Sequence, residues 1–338
     1  MHQVRQVRPR AAVVGAMIVL GGVWAFAQAR NDPNAQPNPY RLVMNWATLP
    51  ANMKWGQTIA LDFDAHGDVY VFHRNDPGIL KFNPRGELLK SWGAGLFAQA
   101  HGLSVDRFGY IWTADSDAKD GKGGQVFKFD SDGTLLMTLG KKGVLEESST
   151  GEAFIGPTGV AVAANADIFV ADGHVNNGNH RILKFSKDGR FIKAWGKTGS
   201  APGEFNGPHG IAMDSRGRLF VADRGNKRVQ VFDQEGRFLA EWPQFGSPEN
   251  IYITKDDTLY VSDSNSSASN NSPYERGIRV GSARDGSVTY FIPEESYDAR
   301  QPAATGPVGL GVDPQGNVYA ADVGATVGFD KMMKKYVK

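Results

Sequence analysis

A degenerate repeat that runs along the whole chain limits the fold more than any other feature of the sequence. Each copy reads as a short apolar strand, a polar turn and a second strand, followed by a third alternating strand, a glycine turn and a fourth strand. The clearest copy begins GPHGIAMDSRGRLFVAD at Gly207, and weaker copies begin near Gly56, Ala100, Gly156, Gly246 and Gly306. Six copies spaced by roughly 40 to 60 residues predict an all-β, six-bladed β-propeller with a central channel.

The first 40 residues are predicted to lie outside this propeller. Arginines precede an apolar stretch from Ala11 to Ala27, which is typical of a secretory signal peptide cleaved after Ala27 or Ala29. An uncleaved membrane anchor is the alternative, but the stretch is short for a span and glycines interrupt it. We expect a signal peptide over residues 1–29, a flexible lead-in over 30–40 and the propeller over 41–338, in a bacterial periplasmic or secreted protein. Within the propeller, Arg41 to Trp46 is a candidate strand that closes the ring against the last blade.

Composition excludes several classes of function. The 37 basic and 36 acidic residues are interspersed and give a net charge of +1, so no basic face for nucleic acid is expected. The chain has no cysteine, which excludes disulfides, thiolate metal sites and a cysteine nucleophile. No phosphate loop, dinucleotide fingerprint or nucleophile elbow is present. We expect no stable membrane insertion once the leader is cleaved.

Aligning the copies places one residue of each blade at an equivalent position just before the innermost strand. We expect these residues to ring one mouth of the channel, where side chains from separate blades converge. They are Gln57, His101, Thr158, His209, Glu249 and Val308. The two imidazoles and the carboxylate have the composition of a site for zinc or another divalent transition metal. The alternative is a polar mouth that holds only water and hydrogen-bonded histidines.

A second set of residues lies where the next strand of each blade ends. Its recurring aspartates are expected to be structural, accepting hydrogen bonds from backbone amides between strands. They are Asp115, Asp172, Asp223, Asp263 and Asp322. Arg74, His174 and Arg224 depart from the repeat and are therefore candidates for function, because guanidiniums at one mouth suit a carboxylate or a developing oxyanion. The stretch from Ser264 to Tyr274 is predicted to be a loop over one face.

These segments resemble a known family. The copies are similar to NHL repeats, and VFHR at Val71, HGLSVD at His101, GPHGIAMD at Gly207 and VADRGNKRVQVF at Val221 together resemble the peptidyl-α-hydroxyglycine α-amidating lyases. The resemblance implies a six-bladed propeller that cleaves a C-terminal α-hydroxyglycine into a peptide amide and glyoxylate, with zinc and calcium in its channel. For this chain it implies zinc ligands at His101 and His209, active-site arginines at Arg74 and Arg224, and calcium at the backbone carbonyls of Ile59 and Leu103.

The chain departs from the family pattern at two places. Gly306-Pro307-Val308-Gly309 stands where the family has Met-Pro-His-Asp, which supplies a third zinc ligand and a calcium carboxylate. Glu249 is the candidate to replace the zinc ligand, whereas calcium is left mainly with neutral carbonyls, so its binding is doubtful. His174 stands where the family has its catalytic tyrosine, and an imidazole suits a general base near neutral pH.

Together these features predict an exported, lyase-like enzyme that cleaves the C–N bond of a peptidyl-α-hydroxyglycine or a similar N-acyl hemiaminal to an amide and glyoxylate. The catalytic candidates are Arg74, His174 and Arg224, and the substrate is a small peptide or N-acyl compound. We do not expect an oxygenase domain that would hydroxylate a peptidyl glycine within this sequence. Two alternatives stay open. One is a non-catalytic propeller that binds a peptide or protein partner. The other is a gluconolactonase-like metal-dependent hydrolase, since Glu249-Asn250 resembles part of the Glu, Asn and Asp metal site of those propellers.

Overall fold

Six four-stranded sheets follow one another along the chain, and adjacent strands within each sheet are antiparallel. They are seen in a computed structural model, which describes residues 32–174, 178–294, 306–323 and 332–338. Blade 1 contains β2 (Thr58–Phe63), β3 (Val69–His73), β4 (Ile79–Phe82) and β5 (Leu88–Trp92). Blade 2 contains β6 (Ala100–Val105), β7 (Ile111–Lys119), β8 (Lys122–Phe129) and β9 (Leu135–Leu139). Blade 3 contains β10 (Pro157–Val162), β11 (Ile168–Asp172), β12 (Arg181–Phe185) and β13 (Phe191–Trp195).

The second half of the chain repeats this order. Blade 4 contains β14 (Pro208–Met213), β15 (Leu219–Asp223), β16 (Arg228–Phe232) and β17 (Phe238–Trp242). Blade 5 contains β18 (Pro248–Ile253), β19 (Thr258–Asp263), β20 (Gly277–Ser282) and β21 (Val288–Pro293). Blade 6 contains β22 (Pro307–Val312), β23 (Val318–Asp322), β24 (Met333–Val337) and β1 (Arg41–Val43). The helical elements of the described ranges are two 3₁₀ turns, Arg224–Asn226 and Pro243–Phe245.

The first strands of the six blades form a closed ring. Each of β2, β6, β10, β14 and β18 contacts the first strand of the next blade, and β22 contacts β2. The outer strand of blade 6 comes from the other end of the chain, because β1 pairs with β24 in the register Arg41↔Val337 and Val43↔Lys335. The predicted six-bladed propeller and its closing strand are therefore confirmed.

The turn between the first two strands of a blade follows from its aspartate and glycine. In blade 4, the backbone amides of Arg216 and Arg218 donate to Asp214 Oδ1 at 3.1 and 2.8 Å. Gly217 takes the left-handed conformation, with φ of 77°, and its amide donates to the Asp214 carbonyl. An aspartate that caps its own turn and a glycine that accepts positive φ fix a tight hairpin, so the strands on either side pair without slipping.

The aspartates that end the second strands fasten each hairpin to the loop that enters its blade. In blade 3, Asp172 Oδ1 accepts from the amides of Ile155 and Gly156, both at 2.9 Å. The matching bonds are Ala98 and Gln99 to Asp115, Asn206 to Asp223, and Ser247 to Asp263. In blade 1 the same task falls to His73, whose Nδ1 accepts from the Gly56 amide at 3.0 Å. The structural role predicted for the aspartates is confirmed in these blades.

Apolar side chains fill the spaces between neighbouring blades. Between blades 4 and 5, Phe220 and Val231 pack in one buried cluster with Ile251 and Leu259. Burying a side chain of this size contributes about 1.5–3 kcal/mol, so the inter-blade contacts stabilise the ring, which has no disulfides. The ring in turn fixes where the loops at its mouth can lie.

The predicted lead-in lies partly within the described ranges. The Asn34 Oδ1 atom accepts from the Glu275 amide at 3.0 Å and from Arg279 Nη2 at 2.8 Å, and Tyr40 is buried in the cluster that joins blades 5 and 6. Residues 32–40 thus lie against blade 5. The predicted signal peptide falls outside the described residues. Among those that are described, no helix is long and apolar enough to cross a bilayer.

Candidate metal centre at the channel mouth

The six inner strands enclose a channel of about 1060 Å³. Each of them carries an irregularity in its pairing at the second position, which turns one residue out of the regular ladder. These residues are Ile59, His101, Thr158, His209, Glu249 and Val308. The predicted ring was therefore right in five blades and wrong in the first, where Ile59 and not Gln57 is equivalent. The prediction that these residues precede the strands was also wrong, since they lie within them.

His101 is held by a close approach of two inner strands. Its Nδ1 lies 2.9 Å from the carbonyl oxygen of Thr158 in the next blade. A Cβ atom on Gly102 would lie 2.3 Å from that same oxygen, so only glycine permits the approach. Because a carbonyl accepts and never donates, His101 Nδ1 carries the proton and Nε2 keeps its lone pair.

His209 has the same tautomer for the same reason. Its Nδ1 donates to the Gly207 carbonyl at 2.8 Å, and its side chain is 1% exposed. Within the described ranges, His209 Nε2 is buried with no hydrogen-bond partner. A buried lone pair without a donor is costly unless another group uses it, and a metal ion is the natural user of an imidazole nitrogen whose other nitrogen is fixed by a carbonyl.

His174 brings a third imidazole to these two from the loop after β11. Its backbone amide donates to the Gly156 carbonyl at 3.0 Å, and a Cβ on Gly156, which has φ of 149°, would meet His174 Cβ at 3.1 Å. The ring centroid of His174 lies 4.6 Å from that of His101 and 5.5 Å from that of His209.

The three histidines form a group that fits a metal ion. One nitrogen from each of His101, His174 and His209 lies within 4.8 Å of the others, and in the described part of the chain this is the one group of three or more histidine, aspartate or glutamate side chains so arranged. Burial lowers the pKa of all three, that of His209 to about 3, and neighbouring arginines lower them further. All three rings are therefore neutral at pH 7, the form that binds metals.

Glu249 lies beside the triad but is committed to other partners. Its Oε2 accepts from Arg224 Nη1 at 3.1 Å, Ser264 Oγ at 2.9 Å and Asn265 Nδ2 at 2.8 Å. Burial alone would raise its pKa, but the Arg224 charge, the neighbouring His209 and the hydrogen bonds from Arg224 and Ser264 together outweigh burial and lower the pKa to about 2. Its Oε1 faces His209 Nε2 at 3.6 Å. This contact is too long for a hydrogen bond, and it is not an ion pair because the imidazole is neutral.

The two arginines differ in how their charges are compensated. Arg224 is paired with Glu249. Arg74 donates from Nε to the Ala100 carbonyl at 3.1 Å and from Nη1 to Gln57 Oε1 at 3.0 Å, both neutral acceptors. Ala100 directly precedes His101, so Arg74 lies at the same mouth, where its charge helps lower the pKa values of His101 and His174. Of these two arginines, Arg74 is therefore the one that has no carboxylate bound to it among the described residues.

The calcium candidates line the channel, and two residues near Glu249 were missed. Ile59 and Leu103 both line the channel, as the calcium prediction requires, but that prediction stays untested. The roles of Ser264 and Asn265 were missed, because the sequence assigned them only to a loop. Ser264 directly follows the capping Asp263, at the position that Arg224 holds in blade 4, and that equivalence is the signal by which the sequence would have revealed it.

Buried neutral histidines make a testable contribution to stability. An unfolded histidine takes up its proton near pH 6.5, whereas folded His209 does so only near pH 3. Protons therefore favour the unfolded chain, and stability is lost as the pH falls from 6.5 toward 3. For His209 we expect a loss of about 2 kcal/mol by about pH 5. The measurement is urea unfolding of the metal-free protein at about pH 7.5 and pH 5.

The His209→Asn variant should show a smaller loss of stability between these two pH values than the parent protein. The comparison with the parent is needed because buried carboxyl groups act in the opposite direction: burial raises the pKa of Asp62 to about 7, so its contribution is lost as the pH rises. Exposed His66 provides the control, and His66→Asn should follow the parent curve. Parallel curves for parent and His209→Asn would contradict a neutral buried His209.

Comparison with known proteins agrees with this architecture. A model of the NHL repeat matches residues 154–185 and 205–232, which contain the first three strands of blades 3 and 4. The chain is 35% identical over 205 residues to peptidyl-glycine alpha-amidating monooxygenase B of Xenopus laevis, across 51% of this chain and 22% of that protein. It is 34% identical over 174 residues to peptidyl-alpha-hydroxyglycine alpha-amidating lyase 1 of Drosophila melanogaster, across 43% of this chain and 30% of that protein.

The chain carries NHL repeats and is similar to the amidating lyases. It spans less than a third of the length of either relative. Among solved structures, a gluconolactonase from Xanthomonas campestris superposes with a TM-score of 0.60 at 14% identity, over 92% of both chains. At that identity the likeness supports the propeller fold alone. The choice among a lyase, a hydrolase and a binding propeller therefore depends on the residues at the mouth.

Proposed function

We propose that this protein is a metal-dependent carbon–nitrogen lyase that cleaves an N-acyl α-hydroxyglycine, or a similar N-acyl hemiaminal, to the amide and glyoxylate. The observation that carries the proposal is the triad of neutral histidines, with the Nε2 atoms of His101 and His209 left free by their carbonyl-bound Nδ1 atoms. The similarity to amidating lyases supports the same reaction. The gluconolactonase-like alternative lacks comparable support, because Glu249 is bound to Arg224, Ser264 and Asn265.

The triad has the donor set of a zinc-type site with an open position. Three neutral imidazoles suit zinc and neighbouring divalent transition metals, and three protein ligands leave room for a substrate oxygen. The metal, when bound, supplies a Lewis acid at the mouth. We assign its ligands to His101, His174 and His209. The missing histidine of blade 6, where Val308 stands, is thereby replaced from blade 3.

This assignment exchanges two roles that the sequence suggested. A histidine that binds metal cannot also serve as the base, so the proton of the substrate hydroxyl needs another acceptor. Glu249 is ionised, and its Oε1 is turned toward His209. The reaction removes the hydroxyl proton, converts the C–O bond to a carbonyl and breaks the C–N bond, and the leaving nitrogen takes up a proton. A carboxyl whose pKa Arg224 holds low is a weak base but returns its proton readily to that nitrogen.

Arg74 is assigned to the substrate carboxylate. Its guanidinium lies at the mouth, its Nε and Nη1 are fixed by Ala100 and Gln57, and its charge is not neutralised by a bound acid among the described residues. A fixed guanidinium binds a carboxylate in a defined orientation. Arg224, held by Glu249, is better suited to stabilise negative charge that develops during the reaction.

The test combines metal content and turnover on one preparation. Purified protein is dialysed against chelator, reloaded with zinc or cobalt and assayed for glyoxylate release from N-benzoyl-α-hydroxyglycine. We expect about one metal ion per chain and glyoxylate only from the reloaded protein. Metal binding without glyoxylate would overturn the lyase proposal, and hydrolysis of a sugar lactone by that sample would establish the hydrolase instead. Absence of both metal and turnover would favour a binding propeller.

A further inference from the structure

A second cavity is lined in part by Arg74, one of the two arginines of the channel mouth. It has a volume of about 750 Å³, and the segment between β1 and β2 supplies most of its lining, including Leu49, Met53 and Trp55. We call it the entry groove. Arg74 and Gln57 also line it, and these two residues are joined by the bond from Arg74 Nη1 to Gln57 Oε1.

The floor of the entry groove is apolar and packed on the core. Trp55 stacks on Phe82, with ring centroids 5.6 Å apart and planes at 20°, and meets His73 edge-on. Leu49 and Met53 are partly buried against the same core cluster. A large apolar group placed here would bury its surface against these side chains, which favours its binding.

The charges of the groove favour a ligand that also carries an anion. None of the residues that line it is acidic, whereas Lys54 and Arg74 are both cationic. Arg74 connects the groove to the metal centre, because its Nε binds the carbonyl of Ala100, the residue that precedes His101. A ligand with its carboxylate on Arg74 therefore has the triad on one side and the groove on the other.

We infer that the entry groove is the subsite for a large apolar substituent on the acyl side of the scissile bond. In an N-acyl α-hydroxyglycine, the carboxylate and the acyl group extend in different directions from the carbon that carries the hydroxyl. With the carboxylate on Arg74 and the hydroxyl at the triad, the acyl group enters the groove. The substituent has two chemical sources, the chain of a simple acyl group or the side chain of the preceding residue in a peptide. The inference rests on the proposed function for the identity of the reacting carbon.

The test measures binding without turnover. Unhydroxylated N-acylglycines cannot be cleaved, so isothermal titration calorimetry compares N-acetylglycine, N-hexanoylglycine and N-decanoylglycine on the metal-loaded protein. Each methylene that the groove buries should tighten binding by about fourfold. A parallel pair, N-acetyl-Ala-Gly and N-acetyl-Phe-Gly, separates the two sources: a gain of about tenfold or more for phenylalanine identifies a peptide side chain, and a gain confined to the acyl series identifies a simple acyl chain. Equal affinities in both series would overturn the inference.

A pair of matched variants locates the effect. Leu49→Ser removes apolar surface from the groove, and Leu89→Ser makes the same change on outer strand β5, where the side chain is 53% exposed. We expect Leu49→Ser to lose about tenfold in affinity for N-decanoylglycine and nothing for N-acetylglycine, with Leu89→Ser unchanged on both. If Leu49→Ser does not fold, the ligand series on the parent protein still decides. A preserved dependence on chain length without glyoxylate release from any hydroxylated substrate would contradict the lyase proposal. The groove would then remain a site for an apolar group next to a carboxylate on Arg74, with no scissile bond assigned.

Discussion

Replacing His101 with alanine should abolish stoichiometric binding of a divalent transition metal. The substitution leaves two imidazoles, and a two-ligand site is far weaker than a three-ligand one. We expect the affinity for zinc to fall by more than about a hundredfold, since loss of a supporting partner of a ligand alone costs 10- to 100-fold. Metal content by plasma mass spectrometry, and competition with a chromophoric chelator, measure the effect.

The control for this variant is an exposed histidine on the same ring. His66 lies in the turn between β2 and β3, and His66→Ala should bind metal like the parent. Thermal unfolding of the metal-free proteins shows whether His101→Ala keeps the fold. We expect it to do so, because His101 lies outside the regular pairing of β6 with β7. Metal retained at parental affinity by a folded His101→Ala protein would contradict the triad.

The same titration separates the two assignments of the third ligand. If His174 binds the metal and Glu249 is the general base and acid, His174→Ala loses metal, whereas Glu249→Gln keeps metal and loses turnover. The sequence-based assignment, with Glu249 as ligand and His174 as base, predicts the reverse. The structure favours the first because the group of ligand atoms within 4.8 Å of one another contains His174 and not Glu249. Glu249 also accepts from Arg224 at both carboxylate oxygens, so a metal at either oxygen would compete with Arg224.

The fold was predictable because each blade repeats the same local sequence pattern. An apolar strand, an aspartate-glycine turn and a terminal aspartate specify a hairpin wherever they occur, so six degraded copies identify the ring even when single strands are ambiguous. The error at Gln57 has a local cause. Blade 1 ends its second strand with His73 instead of aspartate and lacks the Gly-Pro-His-Gly pattern. The sequence alignment of this blade was therefore shifted by two residues, from Ile59 to Gln57.

The site was only partly predictable because it depends on distances across the channel. His101 and His209 share one position of the repeat, and that position identified them. His174 belongs to a different position, after β11, and nothing in its local sequence indicates that its ring lies 4.6 Å from that of His101. The bonds from Ser264 and Asn265 to Glu249 join the loop after β19 to β18. The position of Ser264 in the repeat could have indicated its place at the mouth, but the distances between these side chains arise from how the strands and blades pack.

The charges at this mouth determine the charge of the ligands that it attracts. Glu249 neutralises Arg224, the three histidines stay neutral, and Arg74 keeps its charge. The mouth therefore carries a net positive charge on one side, before any metal is added. A substrate with a carboxylate next to the reacting carbon is attracted to that side, whereas a neutral amide or lactone gains nothing from it.

Replacing Arg74 with alanine is accordingly expected to reduce kcat/KM for glyoxylate release by about a hundredfold to a thousandfold, the cost of losing one fixed charged donor at a reacting centre. Metal content should not change, because Arg74 is not a ligand. Arg74→Lys keeps the charge but not the planar two-nitrogen donor, so it should recover only part of the loss. Arg85→Ala removes an exposed arginine of the same blade and should behave like the parent.

The binding of N-benzoylglycine, measured by calorimetry, should weaken together with kcat/KM in Arg74→Ala. Unchanged turnover in that variant would remove Arg74 from the site, and with it the argument that the substrate is an acid.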